Sequence, residues 1–197
     1  MYQKYHTEAL VLGGQEAGEA DRTIALFTRD FGLVRTRASA VRSEHSKMRY
    51  ALQNYTYANV SLVKGKRGWR VAGATALALA QGDPRGIATF ARISELVIRL
   101  VPGEEANEYL FLAVFAAHEA LMSAEGGSAL GGRSIFPTIE LVCVARVLYA
   151  LGYISAEALE TALFTHTAYT GEHLLEAETM RDKLLTSINQ AIAETQL

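Results

Sequence analysis

Between positions 33 and 40 the chain alternates apolar and polar residues. In an extended strand, Val34, Thr36 and Ala38 then share one face, and Arg35, Arg37 and Ser39 the other. Two guanidinium groups on one face are planar forks suited to phosphate oxygens. Arg42, Lys47 and Arg49 follow closely, and Lys64, Lys66, Arg67 and Arg70 cluster around what reads as a hairpin. A basic run alone is more often a solvated face than a ligand site. Here the excess of cations is confined to one part of the chain and aromatic residues lie among it. In a strand over 54–64, Tyr55, Tyr57, Asn59 and Ser61 share one face and Thr56, Ala58, Val60 and Leu62 the other. The tyrosines are expected either to stack on unpaired bases or to pack against the rest of the protein, and Trp69 has the same two options.

No comparable case exists for catalysis. The run Gly13-Gly14-Gln15-Glu16-Ala17-Gly18-Glu19 fits neither phosphate-loop spacing nor a dinucleotide fingerprint. Cys143 sits in Leu141-Val142-Cys143-Val144-Ala145, where a thiol is most simply a small hydrophobe. The histidines at 6, 45, 118, 166 and 173 have no paired metal-ligand spacing. His173 and Glu176, one helical turn apart, read as a surface pair without a third ligand. Glu104-Glu105 and Glu176 with Glu178 read as solvated acidic faces. The expectation is a protein that is not an enzyme and holds no metal or cofactor.

The 197 residues are 50% hydrophobic and 20% charged, enough apolar material for one domain or two small ones. A single cysteine excludes an intrachain disulfide framework and fits a reducing compartment. The N-terminus lacks the apolar core of a signal peptide, and no run of about 18 apolar residues offers a membrane span. A cytoplasmic protein with no membrane partner is expected. The net charge of −2 hides an asymmetry: residues 1–75 carry 12 Lys and Arg against 6 Asp and Glu, whereas residues 76–197 carry 7 against 15.

Short alternating runs over 5–13, 21–28, 33–40, 54–64 and 68–76, punctuated by Gly18, Gly32, Gly65 and Gly68, predict five strands closing into a small barrel of the OB or SH3-like kind. Ser43 to Leu52 is expected to be a short helix or structured loop. Beyond residue 80 the period becomes helical. Asp83-Pro84 opens a first helix that Pro102-Gly103 stops; a second is expected over 105–124, a glycine-rich loop over 126–132, a third helix from Pro137 to Gly152, and further helices over 155–164 and 171–194. The predicted class is therefore α+β: a five-stranded barrel over residues 1–78, then an all-α helical domain over 79–197.

The order of residues carries a resemblance. Thr7-Glu8-Ala9-Leu10-Val11-Leu12, Gly18-Glu19-Ala20-Asp21-Arg22, Leu26-Phe27-Thr28 and Phe31-Gly32 resemble the opening blocks of the bacterial recombination mediator family RecO. Arg42, Ser46-Lys47 and Leu52-Gln53 resemble its next block, and Phe136 with Leu148, Leu151-Gly152-Tyr153 its helical part. Ser39-Ala40 stands where the family commonly has Lys-Gly, and no cysteine follows Tyr153 where many members carry a zinc module, so the resemblance implies no zinc here. The chain is also shorter than usual members.

What the resemblance implies is an OB-fold barrel and a DNA repair and recombination factor. Such a protein binds single- and double-stranded DNA, anneals complementary strands and assists RecA loading on SSB-coated DNA, with RecR and the SSB C-terminal tail as partners and the RecA filament as an indirect one. The residues expected to meet DNA are Arg35, Arg37, Arg42, Lys47, Arg49, Tyr55, Tyr57, Lys64, Lys66, Arg67 and Arg70. A seat for the SSB tail is expected among Phe111, Phe115, Leu148, Leu151 and Phe164, with Arg133 or Arg146 holding its carboxylate. The rival expectation is an adaptor for SSB or RecR whose barrel no longer binds nucleic acid.

Overall fold

The computed structural model describes residues 3–124, 129–130 and 133–194. Strands β1 (Lys4–Ala17), β2 (Asp21–Thr28), β3 (Gly32–Ala38), β4 (Tyr57–Gly65) and β5 (Gly68–Ala78) close a barrel in the order β1-β2-β3-β5-β4. All neighbours are antiparallel except β3 and β5, which run parallel through Thr36 opposite Trp69 and Arg37 opposite Arg70. This is the five-stranded barrel of an OB fold. Inward alternation fills it: Ala9, Val11, Ile24, Leu26, Val34, Ala38, Ala58, Val60, Leu62, Trp69 and Val71 form one buried cluster. Val41 and Leu52, from the loop over residues 39–56, join the same cluster. That loop is built from consecutive turns rather than a helix, as Ser46 N–H to Ser43 O, Arg49 N–H to Ser46 O and Leu52 N–H to Met48 O show.

Helices α1 (Pro84–Leu100) and α2 (Glu108–Ser123) follow. Asp83 Oδ1 accepts the Arg85 N–H at 2.8 Å and starts α1 as expected. The second helix begins three residues later than the spacing predicts, because Asn107 Oδ1 takes the Leu110 N–H at 2.9 Å and caps it there. The chain then divides into two compact units, residues 1–81 with 97–111, and residues 82–96 with 112–197. In the first, the segment from 97 to 111 is fastened to the barrel. Leu33 N–H donates to Gly103 O, Arg29 bridges Glu8 and Glu108, and the Phe27 and Phe111 rings lie 5.7 Å apart. Gly32, at φ +64°, is required twice: its backbone is left-handed, and a Cβ there would overlap the Glu105 carbonyl.

In the second unit, α3 (Phe136–Ala150) packs against α5 (Gly171–Thr179) and α6 (Arg181–Glu194), with α4 (Ala156–Leu159) between α3 and α5 in sequence. A two-residue strand pair, β6 (Ala129–Leu130) with β7 (Arg133–Ser134), precedes α3. Gly152 (φ +81°) ends α3 as expected, with Tyr153 N–H reaching Leu148 O and Gly152 N–H reaching Tyr149 O. Two helical expectations change. The helix expected over 155–164 shortens to α4, which stops where Glu160 turns left-handed (φ +50°), and beyond it the guanidinium of the fully buried Arg146 takes the carbonyls of Leu163, Thr167 and Ala168 at 2.9, 2.7 and 3.2 Å. The helix expected over 171–194 breaks at Met180, where Arg181 interrupts the apolar stripe and pairs with Glu178. The glycine-rich stretch 126–132 lies, apart from Ala129–Leu130, outside the described residues. Among the described residues no helix is long and apolar enough to cross a membrane.

Candidate nucleic-acid interface

Strand register decides which cations meet. Residues paired across a ladder share a face, so Arg37 and Arg70 stand side by side on the outer barrel wall while Thr36 and Trp69 point inward. Arg35, two residues along β3, is exposed on the same face. Lys66 and Arg67 form the β4–β5 turn between the paired Gly65 and Gly68, and Gly68 closes it with a φ of +95°. These elements wall a depression of about 470 Å³ lined by Arg37, Ser39, Lys66, Arg67 and Arg70, with Asp21 and the edge of Trp69. Among the described residues, Arg35, Lys66, Arg67 and Arg70 have no carboxylate within ion-pair distance. Arg37 does: its Nε and Nη2 hold Asp21 Oδ2 at 2.9 and 2.7 Å. The Ala40 amide, and then Arg37, hold the Asp21 carboxyl below the usual aspartate range.

A second depression of similar size adjoins the start of β2, lined by Arg22, Arg42, Arg49 and Gln53 with Gly14, Glu16 and Val41. Arg42 pairs with Glu16 at 3.0 Å. Arg22, absent from the expected site, holds it together: Nη1 donates to Leu52 O at 2.9 Å and Nη2 to Asn54 Oδ1 at 2.8 Å, tying the 39–56 loop to β2. A Cβ at Gly14 would come within 2.9 Å of that guanidinium. The glycine that fitted no phosphate motif is therefore room for Arg22. Lys47 and Arg49 are exposed on the same loop.

Three expected site residues stand apart. Lys64 pairs with Glu104 at 2.6 Å and lies 5.0 Å over the Trp69 ring. It continues the inward parity of Val60 and Leu62, a signal present in the sequence, so it meets the barrel end and not the Arg70 face. Lys64 first, and the nearby Trp69 indole second, hold the Glu104 carboxyl low, although the indole N–H makes no hydrogen bond of normal geometry. Tyr55 precedes β4 in a left-handed conformation (φ +66°), its amide given to Val11 O. Tyr57 opens β4 opposite Leu10 and Ala78, six residues from Val63, the partner of Arg70. At the rise of a strand that is about 20 Å away from the cationic cluster. Both tyrosines are half-buried.

Trp69 is not a surface stacking platform. It is 6% exposed and packs edge-on to Tyr5 at 5.4 Å and against Phe31 at 5.5 Å. Nor can Arg146 hold an incoming carboxylate, since it is fully buried, gives one hydrogen bond from each of its three nitrogens to a backbone carbonyl and lies 4.7 Å over the Tyr169 ring. Phe111, Leu148 and Phe164 are core residues, and the Arg133 side chain lies outside what is described. Burial pushes the Cys143 thiol up to about 12, so it remains protonated at neutral pH. Among the described residues no three His, Cys, Asp or Glu side chains gather to hold a metal ion.

Residues 1–77 match the family described as Recombination protein O N terminal. The chain is similar to the DNA repair protein RecO of Desulfitobacterium hafniense (strain DSM 10664 / DCB-2), 44% identical over 62 residues, 32% of this chain and 23% of that protein. It is similar to the DNA repair protein RecO of Heliobacterium modesticaldum, 30% identical over 154 residues, 76% of this chain and 52% of that protein. For the RecO of Dehalococcoides mccartyi (strain ATCC BAA-2266 / KCTC 15142 / 195) the values are 30% over 120 residues, 59% and 47%. The chain thus spans about half, or less, of the length of the curated relatives it matches.

Proposed function

We propose, from a barrel whose residues 1–77 match the RecO N-terminal family, a non-enzymatic factor of DNA repair and recombination that binds single- and double-stranded DNA, anneals complementary strands and assists RecA loading on SSB-coated DNA. The observation that carries this reading is the outer barrel wall, where Arg37 of β3, Lys66 and Arg67 of the β4–β5 turn and Arg70 of β5 line one depression and Arg35 is exposed on the same face of β3. OB folds bind oligonucleotides at the second and third strands and at the loops joining strands 1–2 and 4–5, which is where these cations lie. Phosphate contacts neutralise the strands irrespective of sequence, and two neutralised strands can approach and pair. Arg42, Lys47 and Arg49 extend the path along the 39–56 loop. Lys64 contributes only after release from Glu104, and Tyr55 and Tyr57 belong to this interface only if a strand crosses the barrel to them.

The implied partners are RecR and the SSB tail, and the implied location is the cytoplasm, at the nucleoid. The SSB tail requires a seat other than Arg146. The test is the double substitution Arg35→Ala with Arg37→Ala. Anisotropy with several oligonucleotides of different sequence is expected to show a uniform loss of affinity, and a strand-annealing assay a matching loss of rate. Unchanged binding, or a changed sequence preference at intact affinity, would contradict the assignment.

A further inference from the structure

Tyr50 is 64% exposed, the most exposed of the large hydrophobic side chains described. It does not hang from a loose loop. Its neighbours Ala51 and Leu52 are 3% and 0% exposed, and Leu52 belongs to the buried cluster of the barrel. Gln53 N–H closes a turn on Tyr50 O at 3.3 Å, Leu52 N–H bonds Met48 O, and Arg22 clamps Leu52 O and Asn54 from the other side. The aromatic ring is thus presented to solvent by a segment whose backbone is fixed. Arg49 precedes it, and Arg49 and Gln53, one on each side of Tyr50 in sequence, both line the depression shared with Arg22 and Arg42. Glu16 is the carboxylate of that depression. Its side chain is 70% exposed and bonded to Arg42, so it can swing out when a phosphate arrives.

We propose that Tyr50 is a stacking post for an unpaired base, and that with Arg49 and Arg42 it makes the 39–56 loop selective for single-stranded over duplex DNA. This rests on the DNA-binding reading and adds to it the residue that distinguishes strand types. A cation attracts the backbone of either form, whereas the face of a base is open to a tyrosine only where the base is not stacked between its neighbours in a duplex. The fixed backbone means little ordering is needed at the moment of contact.

The test compares the unmodified protein, Tyr50→Ala and Tyr50→Phe on a fluorescent oligothymidylate and on a duplex of the same length, at one salt concentration. Because the side chain is exposed, both variants are expected to melt as the unmodified protein does. Tyr50→Ala should bind the single strand about tenfold more weakly, the size of one lost stack, with duplex affinity unchanged, and Tyr50→Phe should restore the single-strand affinity. Unchanged single-strand binding by Tyr50→Ala, or an equal loss on both DNA forms, would overturn the stacking role while leaving the DNA-binding reading intact. Failure of the unmodified protein to bind either form would remove both.

Discussion

Asp21 sets the local order of the cationic face. Its carboxylate accepts the Ala40 amide at 2.8 Å and holds Arg37, so the same acid fixes the start of the 39–56 loop and orients a guanidinium. Because its folded pKa is depressed, the contribution to stability is present above the unfolded aspartate value, about 3.9, and is lost as pH falls through the lower folded value. An NMR titration of the Ala40 amide is expected to follow that proton, with a midpoint below the ordinary aspartate range. A midpoint at the ordinary value or above would contradict the pairing. Arg146 is the other residue whose role depends on its surroundings rather than on its type. Replacing it with Met leaves three carbonyls without their donor and removes the ring contact with Tyr169, an expected loss of about 3 kcal/mol in a urea unfolding curve. Arg146→Lys should recover only part, since one ammonium cannot span three separated acceptors. Nothing local in Val144-Ala145-Arg146-Val147 distinguishes this buried arginine from a surface cation, so residue type alone offered it as a ligand for an acidic tail.

Among the elements, what was legible is what alternation and caps control. The five strands, the Asp83 cap and the Gly152 stop follow from period and residue type. What was not legible depends on which strand lies beside which. The convergence of Arg37 with Arg70 needs the parallel β3–β5 closure, and the separation of Tyr57 from both needs the length of β4. Backbone hand gives a paired expectation. Ala40 holds φ +53°, a backbone hand that favours glycine, and Gly32 holds φ +64° against the Glu105 carbonyl. Ala40→Gly should therefore stabilise by about 1 kcal/mol through relief of the left-handed cost. Gly32→Ala should destabilise by about 2 kcal/mol or more, since overlap with a backbone oxygen adds to that same cost. Denaturant midpoints at constant slope measure both, and equal signs for the two substitutions would contradict the reading.

At the scale of the whole molecule, the chain segregates its charge: net +6 over residues 1–75 and −8 over residues 76–197. Part of the acidic excess already engages the barrel within one compact unit, through Glu104 on Lys64 and Glu108 on Arg29. The cations left for a phosphate backbone are then Arg35, Lys66, Arg67 and Arg70 on the barrel wall and Lys47 and Arg49 on the 39–56 loop, with Arg37 released in part from Asp21. If nucleic-acid binding resides in this set, its salt dependence is fixed by their number. The most direct test is titration of a fluorescent single strand at several salt concentrations, plotted as the logarithm of the association constant against the logarithm of salt. About four to six neutralised phosphates correspond to a slope of about −3 to −4 on a single strand. A slope in that range is the expected result, and binding that does not change with salt, or no binding at low salt, would contradict a DNA-binding role for the barrel wall.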